Sequence, residues 1–279
     1  MAHADLFAER YRLGQLLSEG RFTIAWRAYD TVLDRDVVVM LYRVAAGNTR
    51  VIDPDARAKL WRELRLLARP SETPRLVTVF DAGQYHGQPF LVTRCMPAET
   101  LVNLLESQPG RRLAPQRAVA IACDVLEGLA ALHGAGLVHR EVRPSNVWME
   151  IDGRAVLGGF GLVAAMGAPP LIGLTEDGQA CSYLAPELIR GDPAGPAADL
   201  YALGCTLYEM LTGRPPFRGD PLTVVSQHLA ATPVPPSRLA AGIPEALDAA
   251  IAALLGKVPG ARPPTAQAAI ALLRAAVGE

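Results

Sequence analysis

His139-Arg140-Glu141-Val142-Arg143-Pro144-Ser145-Asn146 is the stretch on which the reading of this chain turns. It packs ionisable and amide side chains into one short segment between two apolar regions. On its N-terminal side, residues 115–133 read as one long apolar helix opened by Pro115. On its C-terminal side, residues 158–178 are glycine-rich and irregular. Further on, residues 197–211, 222–229, 244–255 and 265–277 read as helices bounded by proline and glycine. Upstream the period changes. Residues 11–17 and 24–29 read as strands flanking a turn at Glu19-Gly20-Arg21, and the valine-rich residues 36–42 as a buried strand. Residues 53–69 have helical spacing, with Asp53 as N-cap and Pro70 as a stop. Residues 76–81 and 89–94 read as strands joined by a turn around Gly83 and Gly87. Strands first and helices afterwards predict an α+β fold of two lobes. The first, about 10–96, is mostly sheet with one main helix; the second, 97–279, is mostly helical; together they make one domain over 1–279.

Composition narrows the function classes. Half of the 279 residues are hydrophobic and a fifth are charged, which suits a globular protein with a sizeable core. The formal net charge of -1 gives no reason to expect nucleic acid or an anionic membrane as partner. Cys95, Cys123, Cys181 and Cys205 are far apart and form no C-x-x-C pair, so free thiols in a reducing cytoplasm are expected. The first residues lack a basic region followed by an apolar core, so no signal peptide is expected. No apolar run approaches the roughly 18 residues that a membrane helix needs, so no membrane contact is expected within this chain.

The loop 139–146 resembles the catalytic loop of protein kinases, H-R-D-x-K-P-x-N in the Ser/Thr branch. Other signatures follow in order. Gly159-Phe160-Gly161 sits where D-F-G belongs, and Ala185-Pro186-Glu187 is an intact A-P-E. Asp199-Leu200-Tyr201-Ala202-Leu203-Gly204 is similar to the start of the large central helix, and Pro215-Pro216-Phe217 and Arg262-Pro263 match later landmarks. The likeness covers roughly residues 10–277 and is strongest to bacterial Hanks-type Ser/Thr kinases. It implies a two-lobed kinase fold. It also implies structural roles for Glu187 and Arg262 as a buried ion pair and for Asp199 as acceptor for the loop backbone. Leu67, His139 and Phe160 would belong to an apolar column.

Kinase chemistry needs a cation on the phosphates, a carboxylate on magnesium and a carboxylate near the acceptor hydroxyl. At the family's lysine position stands Met40, while Glu63 matches the lysine's helix partner and is expected to be solvated or paired with an arginine. Gly159 replaces the magnesium aspartate, leaving Asn146 as the second ligand position. Glu141 replaces the loop aspartate, and its extra methylene moves the carboxylate by about 1.5 Å. Arg143 replaces the loop lysine, and Arg140 is kept. In the phosphate-covering loop only Gly20 survives, and Glu19 would add negative charge there. The resemblance places Gly20, Ala25, Val38, Thr93, Met96 and Trp148 around a degenerate nucleotide pocket. Val38 and Trp148 would fill it from two sides; a slip of one residue would bury Trp148 in the helical lobe instead. Ala180 removes a threonine hydroxyl that the family has before A-P-E.

These departures lead to the expectation of a pseudokinase: no enzyme, no ATP or magnesium bound beyond weak affinity, and a binding, regulatory or scaffold role in the cytoplasm. The alternative is a weak or unconventional ATP-dependent Ser/Thr protein kinase, with Arg21 or Arg27 standing in for the lysine. Expected partners are proteins, such as an active Ser/Thr kinase or a phosphothreonine-reading domain, with Thr175 as candidate phosphosite.

Overall fold

Alternating valines along residues 35–42 set the first unit. In the computed structural model, which describes residues 6–20, 23–43, 54–67, 73–96, 99–166 and 180–278, these residues form the middle of a five-stranded antiparallel sheet. Its strands are β1 (Tyr11–Glu19), β2 (Thr23–Asp30), β3 (Arg35–Tyr42), β4 (Val79–Tyr85) and β5 (Gln88–Arg94), in the order β1-β2-β3-β5-β4. Successive side chains point to opposite faces. Val37, Val39, Phe90 and Val92 therefore share one face and pack with Phe7, Tyr11 and Ala28. The other face carries Val38 and Met40, which pair with Arg27 and Ala25 on β2 and with Thr93 and Leu91 on β5. One helix, α1 (Pro54–Leu67), packs on β4 and β5 and buries Glu63, Leu64 and Leu67. Strand β4 starts later than its apolar pattern suggests, because Leu76 N–H turns back to the Thr73 carbonyl. Asp53 and Pro70, the expected helix bounds, lie outside the described residues.

The second unit, residues 98–279, is built from helices. They are α2 (Leu101–Ser107), α3 (Pro115–Gly134), α4 (Pro186–Arg190), α5 (Pro196–Thr212), α6 (Pro221–Ala230), α7 (Glu245–Leu254) and α8 (Ala266–Ala276). Proline at the first helical position starts α3 to α6, where its missing N–H costs nothing. Asp220 caps α6 through the Leu222 and Thr223 amides, and Thr265 caps α8 through the Ala268 amide. Helix α5 is buried from Ala198 to Thr212, so it is the core around which α3 and α7 pack. Two short hairpin-like pairs present the polar loop: β6 (Leu137–Val138) with β9 (Ala164–Ala165), and β7 (Val147–Met149) with β8 (Ala155–Leu157). Among the described residues no helix is long and apolar enough to cross a membrane. All four cysteines are free thiols.

Candidate active site

Loop 139–146 leaves β6 and is held from below by one fully buried carboxylate. Asp199, in the first turn of α5, accepts the His139 amide at 2.9 Å and the Arg140 amide at 2.7 Å. His133 at the end of α3 donates Nε2–H to the same carboxylate at 2.8 Å. Burial works against that charge, but the His133 imidazole and the His139 amide hold the Asp199 carboxyl below its usual range. Arg140 takes a positive φ of 66°, a region costly for any residue that carries a β-carbon, and the Asp199 bond helps to hold it there. Its Nε donates to the Leu162 carbonyl.

His139 is fully buried and kept neutral, since burial pushes its pKa down. Its Nε2–H donates to the Gly158 carbonyl at 2.8 Å, and its Nδ1 accepts the Glu141 amide at 3.2 Å, which fixes the tautomer. The ring lies 6.1 Å from that of Phe160. These bonds leave the Glu141 carboxylate partly exposed, 3.3 Å from the Arg143 guanidinium. Asn146 donates Nδ2–H to the Glu141 carbonyl at 2.8 Å, and its own carbonyl accepts the Gly158 amide at 2.9 Å. Gly159 follows at a φ of +77°, with a β-carbon position only 2.3 Å from Asn146 Cγ. The Asn146 amide therefore fills the space where a side chain of residue 159 would begin.

Trp148 is decided by alternation. Val147 and Met149 are buried in the helical unit while Trp148 between them is half-buried and pairs with Thr100 and Val156. It lies on the opposite face of β7 from Val147 and Met149. Arg262 grips Glu187 with two bonds of 2.6 and 2.8 Å, both residues buried.

The first unit brings its own set together. Ala25, Val38, Met40 and Thr93 share one face of the sheet, and Met96 is buried just beyond β5. Glu63 is not solvated: it is 7% exposed, and its negative charge is felt at the Tyr42 phenol, whose pKa burial pushes up. Glu19 does not leave uncompensated charge at the loop either, because it pairs with Arg43. Arg43 also donates Nη1–H to the Gly20 carbonyl at 3.2 Å. Sequence reading missed Arg43: it lies three residues past Met40, and only strand register carries it back to Gly20. Arg27 lies on the surface and pairs with Asp36 at 2.6 Å. Arg21 and Thr175 lie outside the described residues, and so does the side chain of Ala180.

Residues 11–270 match the family model of the protein kinase domain. Serine/threonine-protein kinase PknE of Mycobacterium bovis is 38% identical over 249 residues, 89% of this chain and 43% of that protein. A probable serine/threonine-protein kinase of Streptomyces coelicolor is 35% identical over 91% of this chain and 38% of its own length. Serine/threonine-protein kinase PknB of Mycolicibacterium smegmatis is 33% identical over 93% of this chain and 41% of its own. The chain thus spans about two fifths of the length of these relatives. These matches overturn two expectations raised by the substituted positions, that the chain is no enzyme and that ATP and magnesium are absent or weakly bound. Its relatives are named as kinases over nine tenths of its length, and a few altered charges do not outweigh that likeness. The physical reason is that phosphoryl transfer depends on total charge and position, which neighbouring side chains can supply.

Proposed function

The chain belongs to the protein kinase domain family, and we propose that it is an unconventional ATP-dependent Ser/Thr protein kinase domain working with a rearranged set of charges. The observation that carries this reading is the loop held by Asp199, which keeps Glu141 and Asn146 side by side through the Asn146 bond to the Glu141 carbonyl. Magnesium takes hard oxygen donors from one or two carboxylates, with phosphate and water completing its shell. The Glu141 carboxylate and the side-chain Oδ1 of Asn146 are such donors and would hold the ion, which would neutralise charge on the transferring phosphoryl group. The Glu141 carboxylate would also take up the proton of an acceptor hydroxyl. Arg143 beside it helps to orient that carboxylate. Arg43, at Gly20, cancels the Glu19 charge that would otherwise repel the phosphates, while Met40 offers no cation of its own. A carboxylate misplaced by about 1 Å can cost on the order of a hundredfold in rate, so turnover is slow.

The test is transfer of labelled γ-phosphate from magnesium ATP to the chain or to a serine/threonine peptide. Incorporation that disappears in Glu141→Ala supports the reading. No incorporation together with no magnesium-dependent thermal shift from nucleotide would sink it.

A second role is favoured by Gly159, which removes one metal carboxylate while the scaffold around it is intact. We propose that slow catalysis is joined to a regulatory role, in which the chain docks proteins in a cytoplasmic setting. An active Ser/Thr kinase acting on Thr175, or a phosphothreonine-reading domain, would be such a partner.

A further inference from the structure

Of the 27 basic side chains only Lys59 and Lys257 are lysines. Lys257 stands between α7 and Arg262, partly exposed, and is unconnected with the catalytic loop. Its Nζ lies 4.5 Å from the centroid of the Phe217 ring and 5.5 Å from that of Tyr201. It donates to Tyr201 Oη at 3.2 Å and to the Gln227 carbonyl at 3.4 Å. Tyr201 passes the chain on to His228 Nδ1 at 2.9 Å. The Arg262 guanidinium lies 4.8 Å from the centre of the Tyr201 ring, and both Glu187 oxygens are taken by that guanidinium. The titratable and charged groups around Lys257 are therefore Tyr201 and Cys205 of α5, His228 of α6, and Arg262. Among the described residues no carboxylate pairs with it.

We infer that Lys257 is an acylation site: an amine seated over two aromatic rings beside a guanidinium, open to solvent on one side, accepts an acyl group from a small activated donor, an acyl phosphate or an acyl thioester. Burial lowers the amine to about 8, with Cys205 opposing and Arg262 adding to the effect. A desolvated lysine next to another cation is partly neutral near physiological pH, and the neutral amine is the nucleophile. The amine loses its proton to water, and Nζ attacks the acyl carbon. A C–N bond forms, the C–O or C–S bond to the donor breaks, and phosphate or thiolate leaves with the electron pair. Nζ then gives its second proton to the departing phosphate or thiolate, and the product is a neutral amide. It gives up the cation over Phe217 and Tyr201. The effect reaches the segment Ala180–Tyr183, because the His228 ring linked to Tyr201 has its Nε2 edge facing the Cys181 and Ser182 backbone, without a well-formed bond there.

The experiment treats the intact chain with acetyl phosphate in one arm and acetyl-CoA in the other, and follows Lys257 and Lys59 by mass spectrometry from pH 6.5 to 10. Lys257 is expected to be acetylated at least tenfold faster than Lys59 at pH 8, with its rate half-maximal near pH 8. Labelling by either donor supports the site and identifies the source, and the acetylated chain should melt about 2–4 °C lower, the shift expected for loss of roughly 1 kcal/mol. Lys257 labelled by neither donor, or no faster than Lys59, overturns the inference. So does a half-maximal rate near the ordinary lysine value of about 10.4.

Discussion

A β-carbon on Gly159 would lie 2.4 Å from Asn146 Oδ1 and 2.7 Å from its Nδ2, so these two residues share one space. Gly159 is left-handed at φ +77°, which a substituted residue reaches at a cost of about 1–2 kcal/mol. Restoring an aspartate there is therefore more than a change of one charge. Asn146 must first swing away, and its bond to the Glu141 carbonyl is then at risk.

Gly159→Ala is expected to destabilise the chain by roughly 2–3 kcal/mol, strain and contact together. In an Asn146→Ala background the contact is gone, and the cost should fall by at least about 0.5 kcal/mol, the size of coupling that touching residues show. Urea denaturation of the four-member cycle measures this. Strictly additive effects would mean that the two side chains do not compete.

Arg262 and Glu187 make the buried ion pair of the helical unit, with further bonds from Arg262 to the Gly256 and Ala197 carbonyls. Removing one partner leaves the other charge buried. Arg262→Ala should cost about 3–5 kcal/mol, and Arg262→Lys, which cannot make the two-pronged contact, a large part of that. Thermal unfolding should drop accordingly, and a change near zero would contradict the geometry.

Acid should weaken the fold through its buried histidines. His228 is fully buried and its pKa is pushed down to about 4 by desolvation, with Lys257 adding to the effect. His139 shifts the same way for the same first reason. A lowered histidine pKa means that the unfolded chain takes up the proton first. The stability is therefore fully present above about pH 6.5 and declines down to pH 4, by on the order of 3 kcal/mol for His228. His228→Gln should flatten that slope between pH 6.5 and 4. An unchanged slope would show that other groups carry it.

Arg43 is predicted to matter for nucleotide where Arg27 does not. Arg43→Ala frees Glu19 beside Gly20 and removes the local cation. The KM for ATP should rise roughly tenfold, the worth of one charge-assisted contact. Arg27→Ala loses only an exposed pair with Asp36 and should stay near the parent value. Equal responses from the two variants would remove Arg43 from the site.

Much of the molecule could be read before its structure. The valines of β3 and the long helices α3 and α5 were legible because they obey local rules of period and capping. Asp199, Glu187 and Arg262 were legible only through the ordered motifs around them. Strands β6–β9 were not, since two or three residues carry no period and form only where a partner strand waits. Glu63 was expected to be solvated or paired with an arginine because a helix pattern does not say what covers it, and the structure buries it near Tyr42.

By itself, the sequence determined the class of fold and the chemistry on offer: methionine, glutamate and glycine at residues 40, 141 and 159, whose side chains no packing can change. The tertiary structure alone decided which groups meet. Asn146 reaches into the space of Gly159, Arg43 returns to Gly20, and Lys257 finds Tyr201 and Phe217. Each of these depends on register, side-chain rotamer or residues far apart in the chain, and such contacts leave no local pattern to read.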